Sequence, residues 1–189
     1  MKELIFVTGN PLKFKLAESI FESYGIKIIQ LKADIPEIQA ETTEEVAKFS
    51  AKYAADMLNK PVLVNDSGFF INALKGFPGI YTKDINQKFT TQNILDLMAS
   101  YSDRTVRISD VTAYCEPGSE PVIFSCNLKA YLLTESKTDH SNCFDNLLMI
   151  EDFLKVRGAY GVEELKGLTS SFLTSYHDMA KFLIHKLAN

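Results

Sequence analysis

Three short stretches of the chain carry side chains suited to phosphate and metal chemistry. The first is Thr8-Gly9-Asn10-Pro11-Leu12-Lys13, placed where an apolar run gives way to a helical pattern. A helix start offers unpaired N–H groups and a positive dipole end, both favourable to phosphate. Gly9 permits close backbone approach, Thr8 and Asn10 supply hydrogen-bonding side chains, and Lys13 adds a cation one turn in. The GK[ST] ending of a Walker loop is missing. The same residues would also make an ordinary strand–helix turn capped by Asn10. The second stretch is Asn65-Asp66-Ser67-Gly68, directly after the apolar run Val62-Leu63-Val64. Ligands in α/β sheets gather beyond the carboxyl ends of strands. An Asp there can hold Mg²⁺ or activate a water, although Asp-Ser-Gly is also a common turn. The third stretch, Pro36 to Glu41, offers Glu37 and Glu41 as a further metal carboxylate, or else a solvated acidic loop. Lys48 and Lys52 stand four residues apart and so share a helix face.

The elements that must position these groups follow from periodicity. Leu4 to Val7 reads as a buried strand. Phe14, Ala17, Ile20, Phe21 and Tyr24 then follow a helical pattern that stops at Gly25. Ile26 to Leu31 is a second strand. Thr42 and Glu45 form a capping box, and Val46, Phe49, Tyr53 and Met57 mark one face of the helix it opens. Val62 to Val64 is a third strand, expected to end at Asn65 to Gly68. Val122, Phe124, Cys126, Leu128, Ala130 and Leu132 alternate over a long strand. Its partner covers Val106 to Cys115 with a phase shift near Ser109-Asp110, the kind of break a bulge makes. Glu116 to Ser119 joins the two as a turn. Met179, Phe182, Leu183 and Leu187 define a closing helix. Strands alternating with helices, then a long hairpin, imply a mixed α/β protein.

Composition excludes several classes. With 189 residues and 46% hydrophobic residues the chain can bury one substantial core, or one domain of two lobes. A formal net charge of −4 argues against a basic face for nucleic acid. Cys115, Cys126 and Cys143 are odd in number without CxxC spacing, which points to free thiols rather than disulfides or zinc. No stretch approaches the roughly 18 apolar residues of a membrane span. These features make a soluble, cytoplasmic protein without nucleic-acid or membrane partners the expectation.

Taken in order, Thr8-Gly9-Asn10-x-x-Lys13, Asp66-Ser67-Gly68 and Ala73-Leu74-x-Gly76-x-Pro78-Gly79-x-Tyr81 resemble the signatures of the inosine triphosphate pyrophosphatases. Asp34 to Gln39 and Pro61 to Val64 also resemble the eukaryotic members. The resemblance implies one domain over residues 1–189, with an elongated mixed central sheet, flanking helices and two lobes around a nucleotide cleft. It implies hydrolysis of noncanonical purine nucleoside triphosphates (ITP, dITP, XTP) to the monophosphate and pyrophosphate with Mg²⁺, in a homodimer. Carried over residue by residue, it makes Asp66 the catalytic group and Glu37 with Asp66 the metal ligands. Thr8, Gly9, Asn10, Lys13, Lys52, Ser67 and Gly68 fall to the triphosphate side. Phe144, Asp145, Tyr176 and His177 fall to the base side.

The base side departs from the family pattern. The family's Gly-Phe-Gly-Tyr-Asp-Pro-Ile-Phe stretch corresponds to Ser141 to Leu148, where only the aromatic–Asp pair Phe144-Asp145 survives. A Lys-Asn pair is replaced by Ser171-Phe172, and Ser-His-Arg by Ser175-Tyr176-His177. Asn65 stands where an acid usually precedes Asp66. A pyrophosphatase with altered base choice, such as one for modified pyrimidine nucleotides, and a non-catalytic nucleotide-binding descendant are the alternatives.

Overall fold

The computed structural model describes residues 4–188; the side chains of 170, 171, 187 and 188 lie outside the description, and with them the expectations for Ser171 and Leu187. The chain divides into two compact units, described in turn. The first comprises the chain up to Asp66, then Asp110–Cys126, then Val162 to the end; the second comprises Ser67–Ser109 and Asn127–Gly161.

In the first unit, β1 (Leu4–Val7) lies parallel to β2 (Ile28–Leu31), with Leu4 opposite Ile28 and Val7 opposite Leu31. On its other side β1 is parallel to the start of β3 (Val62–Ile71), with Ile5 opposite Val62. Helix α1 (Pro11–Ser23) connects β1 to β2 and ends at Gly25, whose φ of +72° suits glycine. Helix α2 (Thr43–Leu58) opens with the expected capping box: Glu45 N–H donates to Thr42 Oγ1, and the Thr42 N–H donates to the Glu45 carboxylate. Its buried face is not the expected one. Ala47, Ala51, Ala54 and Ala55 are fully buried, with Val7, Val62, Val64, Val111 and Ala113 in the same cluster. Tyr53 and Met57 face solvent, and Tyr53 stacks on Phe49. Methyl side chains let a helix approach a sheet more closely than bulky ones do, so the small residues won the inner face.

β3 also corrects the sequence reading. It does not end at Asn65 to Gly68 but runs through them to Ile71. Gly68 sits where β4 (Pro78–Gly79) pairs antiparallel with β3, and a Cβ there would lie 2.6 Å from Gly79 O. Close backbone approach, not a turn, explains that glycine. β5 (Thr105–Cys115) and β6 (Val122–Leu132) form the expected hairpin. The phase shift in β5 marks where every residue from Ile108 to Cys115 becomes buried on both faces. Among the described residues the sheet orders as β2-β1-β3-β5-β6-β7, with β4 beside β3.

The second unit adds α3 (Thr82–Lys88), α4 (Thr91–Leu97) and β7 (Leu148–Ile150), the last antiparallel to β6. Its core gathers Phe69, Ile71, Ile94, Met98, Val106, Leu132, Phe144 and Leu148. Back in the first unit, α5 (Val162–Phe172) and α6 (Thr174–Ala188) pack on α1. There Tyr176 sets its ring edge-on to Phe6 and Phe21. Among the described residues no helix is long and apolar enough to cross a membrane.

Candidate functional site

The start of α1 and the middle of β3 meet through Lys13. Its ammonium donates to the main-chain carbonyl of Asn65 at 3.2 Å, across 52 residues of sequence. Strand β1 ends at Val7, so Thr8 to Asn10 form the short passage into the helix. The amides of this passage are largely committed. Asn10 N–H donates to Thr8 Oγ1, the N–H groups of Leu12 and Lys13 donate to Asn10 Oδ1, and Pro11 has none to offer. Of the backbone N–H donors expected to be open around Asn10, those of Asn10, Leu12 and Lys13 are taken by the Thr8 and Asn10 side chains. A phosphate would meet chiefly the Lys13 ammonium and the helix dipole. The space over Gly9 is open, with no atom within 4 Å of a built Cβ.

Behind Lys13 lies a group that the sequence reading passed over. Asp110, on β5, is 5% exposed. Its two carboxylate oxygens each accept from Asn65 Nδ2 at 3.1 Å, and Ser175 Oγ donates to Oδ2. Thr112 Oγ1 lies 3.0 Å from Ser175 Oγ. Burial pushes the Asp110 carboxyl above its ordinary range; Lys13, the Ser175 hydroxyl and the Asn65 amide pull it down, and Asp66 pushes it up. Lys13, Asn65, Asp66, Asp110 and Ser175 thus form one electrostatic cluster. The sequence marks only its place, at the point where the alternation of β5 breaks.

The remaining expected residues are distributed as follows. Asp66 and Ser67 are half-buried on β3, next to Asn65. Glu37 sits on the exposed passage between β2 and α2. Lys52 is exposed and ion-paired with Glu120. Tyr176 is 1% exposed, and its hydroxyl has no partner among the described residues. His177 Nδ1 lies 3.2 Å from Tyr24 Oη, and burial holds its imidazole below the usual value. In the second unit Phe144 is buried edge-on to Phe69 at 5.6 Å. Asp145 is 2% exposed; its carboxylate pairs with Arg157, accepts from Asn142 Nδ2 at 3.0 Å and lies 3.3 Å from His140 Nδ1. A Cβ on Gly158 would meet Asp145 O at 2.7 Å, so the backbone beside Arg157 passes too close to Asp145 for a larger residue. Burial raises all three thiols, Cys143 to about 11, and none is positioned as a thiolate nucleophile.

Among the described residues no three His, Cys, Asp or Glu side chains converge on a metal position. Asp66 nevertheless fits Mg²⁺. This ion commonly takes one or two protein carboxylates, with phosphate oxygens and waters completing its octahedron. Asp66 supplies one half-buried carboxylate, one residue from the carbonyl that receives Lys13.

The profile of the Ham1 family matches residues 4–167. The chain is 35% identical over 162 residues to a dITP/XTP pyrophosphatase of Methanopyrus kandleri, covering 86% of both chains. It is 31% identical over 183 residues to one of Ignicoccus hospitalis, covering 96% of this chain and 97% of that one. In fold it resembles a HAM1 protein from Coxiella burnetii, with a TM-score of 0.82 at 22% identity over 98% of this chain and all of that one.

Proposed function

Because the chain belongs to the Ham1 family, we propose that it hydrolyses noncanonical purine nucleoside triphosphates (ITP, dITP and XTP) to the monophosphate and pyrophosphate with Mg²⁺. One observation carries this reading: the Lys13 ammonium is held on the Asn65 carbonyl, one residue from the Asp66 carboxylate. The cation is thereby held on β3 at the peptide that precedes the Asp66 residue. The names of the relatives, dITP/XTP pyrophosphatase and inosine triphosphate pyrophosphatase, support the same reaction.

Each residue has a task in it. Lys13 holds phosphate oxygens through its ammonium, at a helix start whose dipole favours the same charge. Asp66 orients the attacking water and takes its proton, since a carboxylate within reach of water is a competent base. Glu37 and Asp66 would hold Mg²⁺, which neutralises the phosphate charge when bound. Thr8 and Asn10 keep the helix entry rigid. Lys52, paired with Glu120, contributes field rather than contact. A dimer and a cytoplasmic location complete the proposal by family likeness.

The second unit favours a shift in base choice within this reaction. Phe144 and Asp145 are buried, and the Asp145 carboxylate is committed to Arg157 and Asn142. A site that lacks free polar partners for a base discriminates weakly. Pyrophosphate release with Mg²⁺ from ITP, XTP, GTP, ATP and modified pyrimidine triphosphates tests both statements. Release from none of them would overturn the reaction. An ITP preference over ATP of several hundred-fold would overturn the shifted selectivity.

A further inference from the structure

We propose that Asn65 and Asp110 form an amide–acid pair that fixes the Asn65 carbonyl, and through it the Lys13 ammonium, for the triphosphate. Both are positioning residues; neither touches the reacting atoms. The inference rests on Lys13 as the phosphate ligand in the reading above.

The pair is unusually determined. Asn65 Nδ2 is surrounded by four acceptors: Asp110 Oδ1 and Oδ2 at 3.1 Å, Val111 O at 3.1 Å and Thr112 Oγ1 at 3.3 Å. A nitrogen with two protons suits a place surrounded by acceptors. An acid would face two carboxylate oxygens and a carbonyl, and an apolar residue would leave those acceptors without a donor. The surroundings also decide which way the amide points. Asn65 Oδ1 is left buried and without a partner among the described residues. An amide that leaves its own oxygen unsatisfied to reach this nitrogen pocket is held in one rotamer.

That rotamer belongs to the same residue whose main-chain oxygen receives Lys13. Locking the side chain of Asn65 from behind locks the peptide that Lys13 binds. Asp110 supplies the lock without taking a Lys13 hydrogen bond, because the lysine donates to the carbonyl instead. An ammonium has three protons, so the others stay available to phosphate. A direct Lys13–Asp110 ion pair would hold the lysine equally well but would compete with the substrate. Placing the carboxylate one amide away keeps the field and removes the competition. A buried carboxylate is costly without a contacting cation, and this role accounts for its presence. Ser175, donating to Asp110 Oδ2, steadies the carboxylate from α6.

The test is a double-mutant cycle read by two independent assays. Wild type, Asp110→Asn, Asn65→Ala and the double variant are titrated calorimetrically with inorganic triphosphate and Mg²⁺, and their kcat and KM for ITP are measured. Each single change is expected to weaken triphosphate binding about fivefold or more. The double variant is expected to be no worse than the weaker single, because either change breaks the same lock. KM should rise while kcat stays within about threefold. Multiplied losses in the double variant, or unchanged affinity in Asp110→Asn, would overturn the pair. A fall in kcat at constant KM would likewise overturn it, by moving the role to Asp66. If Asp110→Asn does not fold by its melting curve, Asp110→Ser takes its place in the cycle. Coupled triphosphate binding in a wild type that releases no pyrophosphate would refute the proposed reaction and leave the pair standing.

Discussion

Replacing Lys13 with alanine removes a cation that acts on two partners, and the two effects separate by assay. Towards substrate, the variant loses a charge-assisted contact to phosphate, worth about 1.5–3 kcal/mol. That corresponds to roughly a 10- to 150-fold loss in kcat/KM, expressed mainly in KM. Towards the fold, the target is Asp110. Burial raises its carboxyl, and Lys13 is the strongest influence opposing that rise. An acid whose folded pKa lies above its unfolded value favours the folded state most at low pH. That contribution is present below the unfolded value of about 3.9 and is lost as pH rises through the folded one. Without Lys13 the folded value moves higher, so the variant is expected to be less stable than wild type at neutral pH. The gap should close as the pH falls towards about 4. Removing this nearby but non-contacting cation costs the buried carboxylate about 1–3 kcal/mol, which in a chain of this length lowers Tm by roughly 2–12 °C. Pyrophosphate release gives the first quantity; thermal melts from pH 4.5 to 8 give the second. An unchanged kcat/KM would refute the phosphate role. A Tm gap of equal size at every pH would refute the electrostatic link between Lys13 and Asp110.

Three further outcomes are expected. Asp66→Asn should lower kcat by at least about 10²-fold with little change in Tm, as measured by steady-state turnover and melting, if this carboxylate is the base. Arg157→Ala strips the guanidinium from the 2%-exposed Asp145 and should cost about 3–5 kcal/mol in chemical denaturation; a loss under about 1 kcal/mol would mean that His140 and Asn142 suffice. Gly68→Ala drives a Cβ to 2.6 Å from Gly79 O and should destabilise the β3–β4 pairing by about 1–3 kcal/mol, visible as a lower denaturation midpoint.

The parts of the fold written in local pattern were legible. β1, α1 with its Asn10 cap, the Thr42–Glu45 box and the β5–β6 hairpin all follow from spacing and capping chemistry. What escaped was decided by tertiary packing. In α2 the larger apolar residues suggested the inner face, yet the sheet accepted alanines and left Tyr53 and Met57 outside. Asp66-Ser67-Gly68 has the composition of a turn, but its glycine serves a neighbouring strand, so β3 runs on. Lys13 and Asp66 stood out as candidates because each sits at an element boundary in the sequence pattern. Asp110 did not, since its partners Asn65 and Ser175 lie 45 and 65 residues away. A buried carboxylate becomes intelligible only once the strand beside it is known.

The cap made by Asn10 has a consequence for the energetics of ligand capture. Because its side chain already satisfies the amides of Leu12 and Lys13, the first turn of α1 is closed by the chain itself. Binding there requires no disorder-to-order transition, and the affinity is not diminished by ordering entropy at that turn. The heat-capacity change on association should therefore reflect only the surface covered, without the large negative excess that marks coupled folding. The amide protons of Leu12 and Lys13 should exchange slowly before any nucleotide is added, and saturation should leave their rates nearly as they were.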